Sequence, residues 1–329
     1  MKTYRSAFLI FLALSACHKT IGPTGADDDV SDDDSPTCSI SVDRTSPTNG
    51  AMDHYYRDPI EFQLSEPDPS AEFVSDIIGT TTVSDDGLTV TLVPDGNLSP
   101  STEYTVALDY CFGAPEIMFT TSHYGAPLSP SVDLENRTYV LDLNAGDYTI
   151  GTDAGELFGA VFRHKILFEL QEVEGTKVEV LAAITQRDTS TVDQDMCART
   201  IFMDDVDIGG MPFFFGSVED YEFGALDGVI RFSQFDFYGT IASDGESIGG
   251  LGYVATMGVE EIAELLPDFG DVDDFCVLAE NLGIPCEPCP EESDRTCITI
   301  AAEHIQAEQV DVELEIVTEG RSHPDCDME

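Results

Sequence analysis

The sequence predicts a mainly β protein, in which a β-sandwich is followed by a larger antiparallel β-domain with an inserted α-hairpin. Three observations predict this class. Apolar residues alternate with polar ones in many short runs, turn-forming pairs such as Asn49-Gly50 separate the runs, and helical spacing occurs in one late region. The 329 residues are 42% hydrophobic, which suffices for a sizeable core in about two domains.

Residues 38–123 contain the first set of short strands. Period-two alternation occurs at Ile60/Phe62/Leu64, Leu88/Val90/Leu92 and Tyr104/Val106/Leu108/Tyr110. Turn signals such as Asp85-Asp86-Gly87 and Pro94-Asp95-Gly96 separate these runs. Several short strands within one segment of this length indicate a β-sandwich.

Residues 124–329 are expected to form the larger β-domain. Alternation predicts one hairpin, with apolar positions at Ile166/Phe168/Leu170 and Val178/Val180/Ala182/Ile184 and a turn at residues 172–175. The run over residues 229–241 changes phase at Ser233-Gln234, which predicts a β-bulge. A last strand is expected over residues 310–316, because apolar and acidic residues alternate there.

The α-hairpin is predicted inside this second domain. Val259, Ile262 and Leu266 recur at helical spacing, and Pro267 ends the run. Asp271 is placed to cap a second helix, which Gly283 and Pro285 end. The apolar face of that second helix is formed by Phe275, Leu278 and Leu282.

Residues 1–16 are expected to be a signal peptide. Lys2 and Arg5 precede a ten-residue apolar run, which as a helix spans about 15 Å and is too short to cross a bilayer. The following Leu14-Ser15-Ala16-Cys17 resembles the bacterial lipobox, which implies lipidation of Cys17 and anchoring in a membrane. His18 follows in place of Asp, which in similar Gram-negative lipoproteins implies the outer membrane, on either side. The alternative is an ordinary cleavable signal peptide.

Residues 17–37 are expected to form an acidic tether. Six acids fall within residues 27–34, and their mutual repulsion favours an extended, solvated segment. A calcium loop is the alternative, but calcium ligands are separated along the chain and surround a glycine, and this run has neither feature.

Residues 38–123 also resemble a bacterial Ig-like family found in S-layer and other surface proteins. The matching pieces are residues 46–50 (SPTNG), 60–67 (IEFQLSEP), 84–92 (SDDGLTVTL), 98–106 (LSPSTEYTV) and 119–121 (FTT). The resemblance implies a spacer or adhesive module without catalytic residues. It also implies that the first strand runs parallel to the last, which predicts a Cys38–Cys111 disulfide; each cysteine pairing outside the domain is the alternative.

Residues 124–329 resemble the C-terminal part of uncharacterised Gram-negative lipoproteins. The similarity lies in residues 135–143, in residues 194–197 and in Cys286-Glu287-Pro288-Cys289, and it implies no activity. The cysteines of this part are Cys197, Cys276, Cys286, Cys289, Cys297 and Cys326. An even number in an exported chain predicts disulfides, with local pairs joining the second helix to the loop after it. A zinc site at Cys286-x-x-Cys289 is the alternative.

The charge balance excludes one class of function. With 14 basic residues against 64 acidic ones, the net charge is −50, so the chain has no basic surface for a nucleic acid. Such a surface suits saline surroundings or diffusely bound divalent cations. No motif predicts a catalytic, cofactor-binding or metal-binding residue; the pattern Asp142-x-Asn144-x-Gly146-Asp147 only partly matches a calcium loop.

These observations favour a non-catalytic, lipid-anchored envelope protein that presents a binding or structural domain on an Ig-like spacer. Its partner is expected to be an envelope protein, a glycan or a hydrophobic ligand. The first alternative is a carrier of a lipid or another hydrophobe, with residues 211–216 (MPFFFG) in a pocket wall rather than the core; it requires a cavity of several hundred Å³. The second is an enzyme, which requires buried titratable residues converging in a cleft.

Overall fold

The computed structural model describes residues 39–318 except for short gaps. The gaps are residues 112, 151–154, 156–157, 160–161, 163, 187–191, 226–227, 266–270 and 291–293. The predicted signal peptide and tether, with Cys17, and also Cys38 and Cys326 therefore lie outside the described residues. The same holds for Leu266 and Pro267 of the predicted first helix.

The first part of the chain is a β-sandwich, as predicted, and it consists of two four-stranded sheets. Its strands are β1 (Val42–Ser46), β2 (Ala51–His54), β3 (Ile60–Leu64), β4 (Glu72–Ser75), β5 (Gly79–Val83), β6 (Thr89–Pro94), β7 (Glu103–Asp109) and β8 (Glu116–Thr121). One sheet has the order β1-β3-β6-β5 and the other β2-β8-β7-β4. Strand β2 runs parallel to β8, and every other pair is antiparallel.

Alternation along these strands builds the sandwich core. On β3, Ile60, Phe62 and Leu64 are buried between the sheets. Phe62 lies opposite Val90 of β6, which is also buried. Since burial of one such side chain contributes about 1.5–3 kcal/mol, the register of β3 and β6 is fixed by this apolar face.

The second part is a closed antiparallel sheet with two helices. Its elements are β9 (Arg137–Leu141), β10 (Asp147–Ile150), β11 (Ile166–Glu174), β12 (Lys177–Ile184), β13 (Ile201–Asp207), β14 (Phe213–Ala225), β15 (Gly228–Ile241), β16 (Ser247–Gly258), α1 (Val259–Leu265), α2 (Val272–Asn281), β17 (Cys286–Pro288) and β18 (Thr296–Val310). The order β9-β11-β12-β13-β14-β15-β16-β18 returns to β9, because β18 pairs with β9 as well.

Strand β18 closes the sheet. One side of β18 pairs with β16 along most of its length, and the other side pairs in succession with β17, β10 and β9. Strand β15 contains the predicted bulge, since its register against β16 shifts between Phe232 and Gln234. Bulges of this kind let a sheet curve far enough to close.

The predicted details of the hairpin and helices are also present. Strands β11 and β12 pair as the predicted hairpin, but its turn is Gly175-Thr176, centred two residues later than the predicted turn at residues 172–175. Asp271 caps α2 by accepting hydrogen bonds from the amides of Asp273 and Asp274. Neither α1 nor α2 has the length and apolar character needed to cross a membrane.

The prediction of a late strand over residues 310–316 is wrong. Strand β18 ends at Val310, and residues 311–317 form an extended strap on the outside of the closed sheet. Leu314 of the strap is buried against Leu167 and Leu181, whereas Ile316 is 70% exposed. The strap is bound mainly through side chains, because the amide of Leu314 donates to the buried carboxylate of Glu169 and Gln194 bonds both backbone groups of Glu315.

Candidate functional site: the junction between the two domains

Three tyrosines attach the sandwich to the closed sheet. The hydroxyl of Tyr55 and the hydroxyl of Thr240 on β15 share a hydrogen bond of 2.5 Å, and Tyr56 contacts the same threonine at 3.2 Å. Tyr124, which follows β8, bonds Ser247 of β16 at 3.2 Å. All three rings are buried and belong to the hydrophobic core of the sandwich, so the core extends into the junction.

A glycine pair in β16 makes room for two of these rings. A Cβ on Gly249 would lie 2.1 Å from the ring of Tyr124, and a Cβ on Gly250 would lie 2.2 Å from the ring of Tyr55. Gly250 also has a φ of +55°, which side chains disfavour. The rings therefore rest directly on the strand backbone, where the register between β16 and β18 is irregular.

His304 bridges the two domains at a kink in β18. Its φ is +60°, and it lies between the residues of β18 that pair with β10 and those that pair with β9. The ring Nε2 lies 2.8 Å from Asp58 of the sandwich, and Nδ1 lies 3.1 Å from Asp147 of β10. We call these three residues the His304 bridge.

The two carboxylates keep the His304 bridge charged. The hydrogen bond to Asp58, reinforced by the charges of both carboxylates, raises the pKa of His304 to about 9. The imidazolium then donates through both ring nitrogens, one to each domain element. Burial lowers the pKa of the neighbouring His54, which favours the neutral form of this second histidine.

A cation–π contact extends the junction. The guanidinium of Arg57 lies 3.8 Å from the ring centroid of Phe213 on β14. Beside it, the hydroxyl of Tyr238 donates to Glu303 at 3.2 Å, and burial with the Glu303 charge raises the pKa of that tyrosine to about 12. The cation–π contact between Arg57 and Phe213 contributes about 0.5–2 kcal/mol to stability, which is comparable to a good hydrogen bond.

The residues of the junction therefore attach the sandwich to the closed sheet. Both ring nitrogens of His304 are bonded to carboxylates on opposite sides, so neither offers a lone pair to a ligand while the ring is protonated. Within the part of the chain that the structure describes, no group of three or more His, Cys, Asp or Glu side chains is placed to bind a metal ion. The partial calcium pattern serves the fold instead: Asp142 caps the turn at residues 143–145 and Asp147 bonds His304.

The predicted cysteine sites form two local disulfides. Cys276 of α2 is bonded to Cys286 of β17, and Cys289 is bonded to Cys297 of β18. The zinc alternative for Cys286-x-x-Cys289 is therefore wrong, because both sulfurs are in disulfides. Cys111 and Cys197 are disulfide-bonded as well. Cys38 and Cys326 lie outside the described residues, so the Cys38–Cys111 pair stays a prediction.

Within the described residues, the interior of the closed sheet is largely filled by buried side chains. A cavity of about 60 Å³ is lined by apolar side chains that include Phe168, Tyr221 and Phe237. This volume is far below the several hundred Å³ that the carrier alternative requires. Residues 211–216 serve several roles: Phe214 is in the core, Phe213 lies beneath Arg57, and Phe215 is 45% exposed.

Comparison with known proteins identifies only the first domain. Residues 36–110 match the family described as bacterial Ig-like domain, so this chain contains an Ig-like domain there. A comparison with curated proteins finds no match. Among solved structures, an L,D-transpeptidase from Mycobacterium smegmatis matches 32% of this chain and 60% of its own, with 16% identity and a TM-score of 0.21. That TM-score is too low to indicate a shared fold.

We expect Gly249→Ala to weaken the junction. The added methyl group overlaps the ring of Tyr124, and such overpacking costs about 1–3 kcal/mol of unfolding free energy. The matched control is Gly96→Ala, since a Cβ there meets no atom within 4 Å, and it should change stability by less than about 0.5 kcal/mol. Urea unfolding of both variants measures the difference; equal stabilities would mean that the ring does not rest on the strand.

The His304 bridge predicts a pH dependence. The folded pKa of about 9 exceeds the usual value of 6.5, so the stabilisation is complete below pH 6.5 and is lost as the pH rises through 9. His304→Asn keeps a residue that tolerates positive φ but removes the charge. Because the histidine side chain is 45% exposed, screening leaves a difference of about 1 kcal/mol near pH 6.5. Thermal unfolding at successive pH values should show the wild type and the variant converge above pH 9; parallel curves would contradict the bridge.

Proposed function

We propose that this chain is a non-catalytic, lipid-anchored protein of the bacterial cell envelope. Its Ig-like domain acts as a spacer between the tether and the closed sheet and holds the closed sheet at a fixed orientation relative to itself, so that the closed sheet meets a partner away from the membrane. The junction is the observation that carries this proposal. A sandwich that is attached through buried tyrosines and a charged histidine is suited to keep the closed sheet in one orientation relative to itself.

The N-terminal sequence supports the anchor. Leu14-Ser15-Ala16-Cys17 resembles a lipobox, and the acidic residues after it suit a solvated tether between the lipid and the sandwich. A single acyl chain gives only marginal membrane binding, whereas several chains on one cysteine give stable anchoring. The disulfides of the closed sheet suit an oxidising compartment outside the cytosol.

The net charge of −50 supports a role in extracellular or periplasmic surroundings. Dense acidic charge keeps the surface solvated and repels neighbouring copies at low salt. Divalent cations and salt screen that repulsion, so we propose diffuse cation binding rather than a specific metal site.

Replacement of the lipidated cysteine tests the proposal. In Cys17→Ser, the chain should leave the membrane fraction and appear in the soluble fraction, because no thioether-linked lipid forms. Ser31→Ala is the control, since it alters the predicted tether without touching the lipobox or a predicted disulfide, and it should stay with the membranes. Intact mass of the wild type should exceed that of the processed polypeptide by the mass of its acyl groups. A Cys17→Ser protein that fractionates with membranes as the wild type does would contradict the proposal.

A further inference from the structure

Strand β5 leaves one edge of the sandwich open. It is the last strand of the sheet β1-β3-β6-β5, and no described strand pairs with its outer side. The amide of Ser84 donates to the carbonyl of Thr89, and the amide of Asp95 donates to the carbonyl of Ile78. Because hydrogen-bonded positions alternate along an antiparallel pair, the backbone N–H and C=O groups of Thr80 and Thr82 also face β6. The backbone groups of the intervening residues, including Thr81, therefore face away from the sheet.

This edge lacks the features that usually protect an open strand. Native edges carry charged side chains, proline or bulges that discourage pairing. Strand β5 reads Gly-Thr-Thr-Thr-Val, with no charge and no proline, and its last four residues are exposed. Large apolar side chains flank it, because Ile78 is 79% exposed and Val93 on the neighbouring strand is 44% exposed.

The charges around the edge decide what can bind there. Acidic residues lie at both ends of the strand, with Asp76 before it and Asp85 and Asp86 after it, and all three are exposed. The chain contains no Lys or Arg between Arg57 and Arg137, so the acids at this edge have no basic neighbour in sequence. Arg44 lies on β1, at the opposite edge of the same sheet.

A second copy of this chain fits the edge poorly. Antiparallel pairing of two β5 strands centred on Thr81 places Asp76 of one copy opposite Asp86 of the other, at both ends of the paired segment. Like charges held opposite each other across a strand pair destabilise it. A partner segment with basic residues at its ends is instead attracted to the carboxylates of Asp76 and Asp86.

We propose that β5 is a docking edge for an extended segment of another protein, with β-branched residues at its centre and Lys or Arg at its ends. The segment adds a fifth strand to the sheet, and its main chain bonds the outward groups around Thr81. Its basic ends lie against Asp76 on one side and Asp85 and Asp86 on the other. This assignment goes beyond the spacer role and does not depend on lipidation.

A peptide titration tests this docking edge in the full chain. The probe is a fluorescent peptide of sequence Lys-Lys-Thr-Val-Thr-Val-Thr-Lys-Lys, and binding is measured by anisotropy in detergent. Replacement of its central residue by proline should weaken binding at least about tenfold, and so should exchange of its lysines for glutamates. These two arms test strand pairing and charge without altering the protein.

Variants of Thr81 test the same pairing from the protein side. Thr81→Pro removes an outward amide that pairs with no described strand, and it should abolish binding of the lysine peptide. Thr81→Ser keeps that amide and should bind as the wild type does. Circular dichroism checks that Thr81→Pro is folded. If it is not, the proline and glutamate peptides test the proposal on the wild-type chain. Absence of binding, or equal binding of the proline peptide, overturns the proposal. A dimer of the wild-type chain that Thr81→Pro abolishes also overturns it, because the occupant is then a second copy.

Discussion

Two tyrosine rings that rest on the Gly249-Gly250 backbone fix the relation between the domains. Each buried ring contributes about 2–3 kcal/mol, which exceeds what an exposed polar contact gives. The glycines permit this approach because they have no Cβ, and β16 and β18 lose their regular register at the same level. The kink that brings His304 to Asp58 lies on the facing strand, so one irregularity in the closed sheet serves both the apolar and the charged part of the junction.

Three of the few cations lie where separate segments of the described chain meet. Arg57 covers Phe213 at the junction, and Arg137 bonds the carbonyl of Gly245 and the side chain of Gln309, which joins β9, the turn before β16 and β18. Arg295 pairs with Glu260 and Glu261 of α1 and so attaches α1 to the start of β18. In a chain with net charge −50, cations at these seams offset repulsion where segments must meet.

Much of the fold could be predicted from the sequence because it follows from local patterns. Alternation located β3, the hairpin of β11 and β12, and the bulge in β15, and capping located α2. The junction could not be predicted, because it depends on residues far apart in sequence, such as Asp58 and His304. Its one local signal was the Gly249-Gly250 pair inside a strand, which indicates a close approach of another group. The late strand was misplaced because alternation in residues 310–316 fits a strap bound by side chains as well as a strand.

A junction with these contacts is expected to restrict the motion of the Ig-like domain relative to the closed sheet. If the two domains turn as one body, the open edge at β5 keeps a constant direction relative to the closed sheet. Backbone residual dipolar couplings in one alignment medium measure this most directly. We expect one alignment tensor to fit the amides of both domains; different tensors for the sandwich and the closed sheet would show that they reorient independently and would contradict a rigid junction.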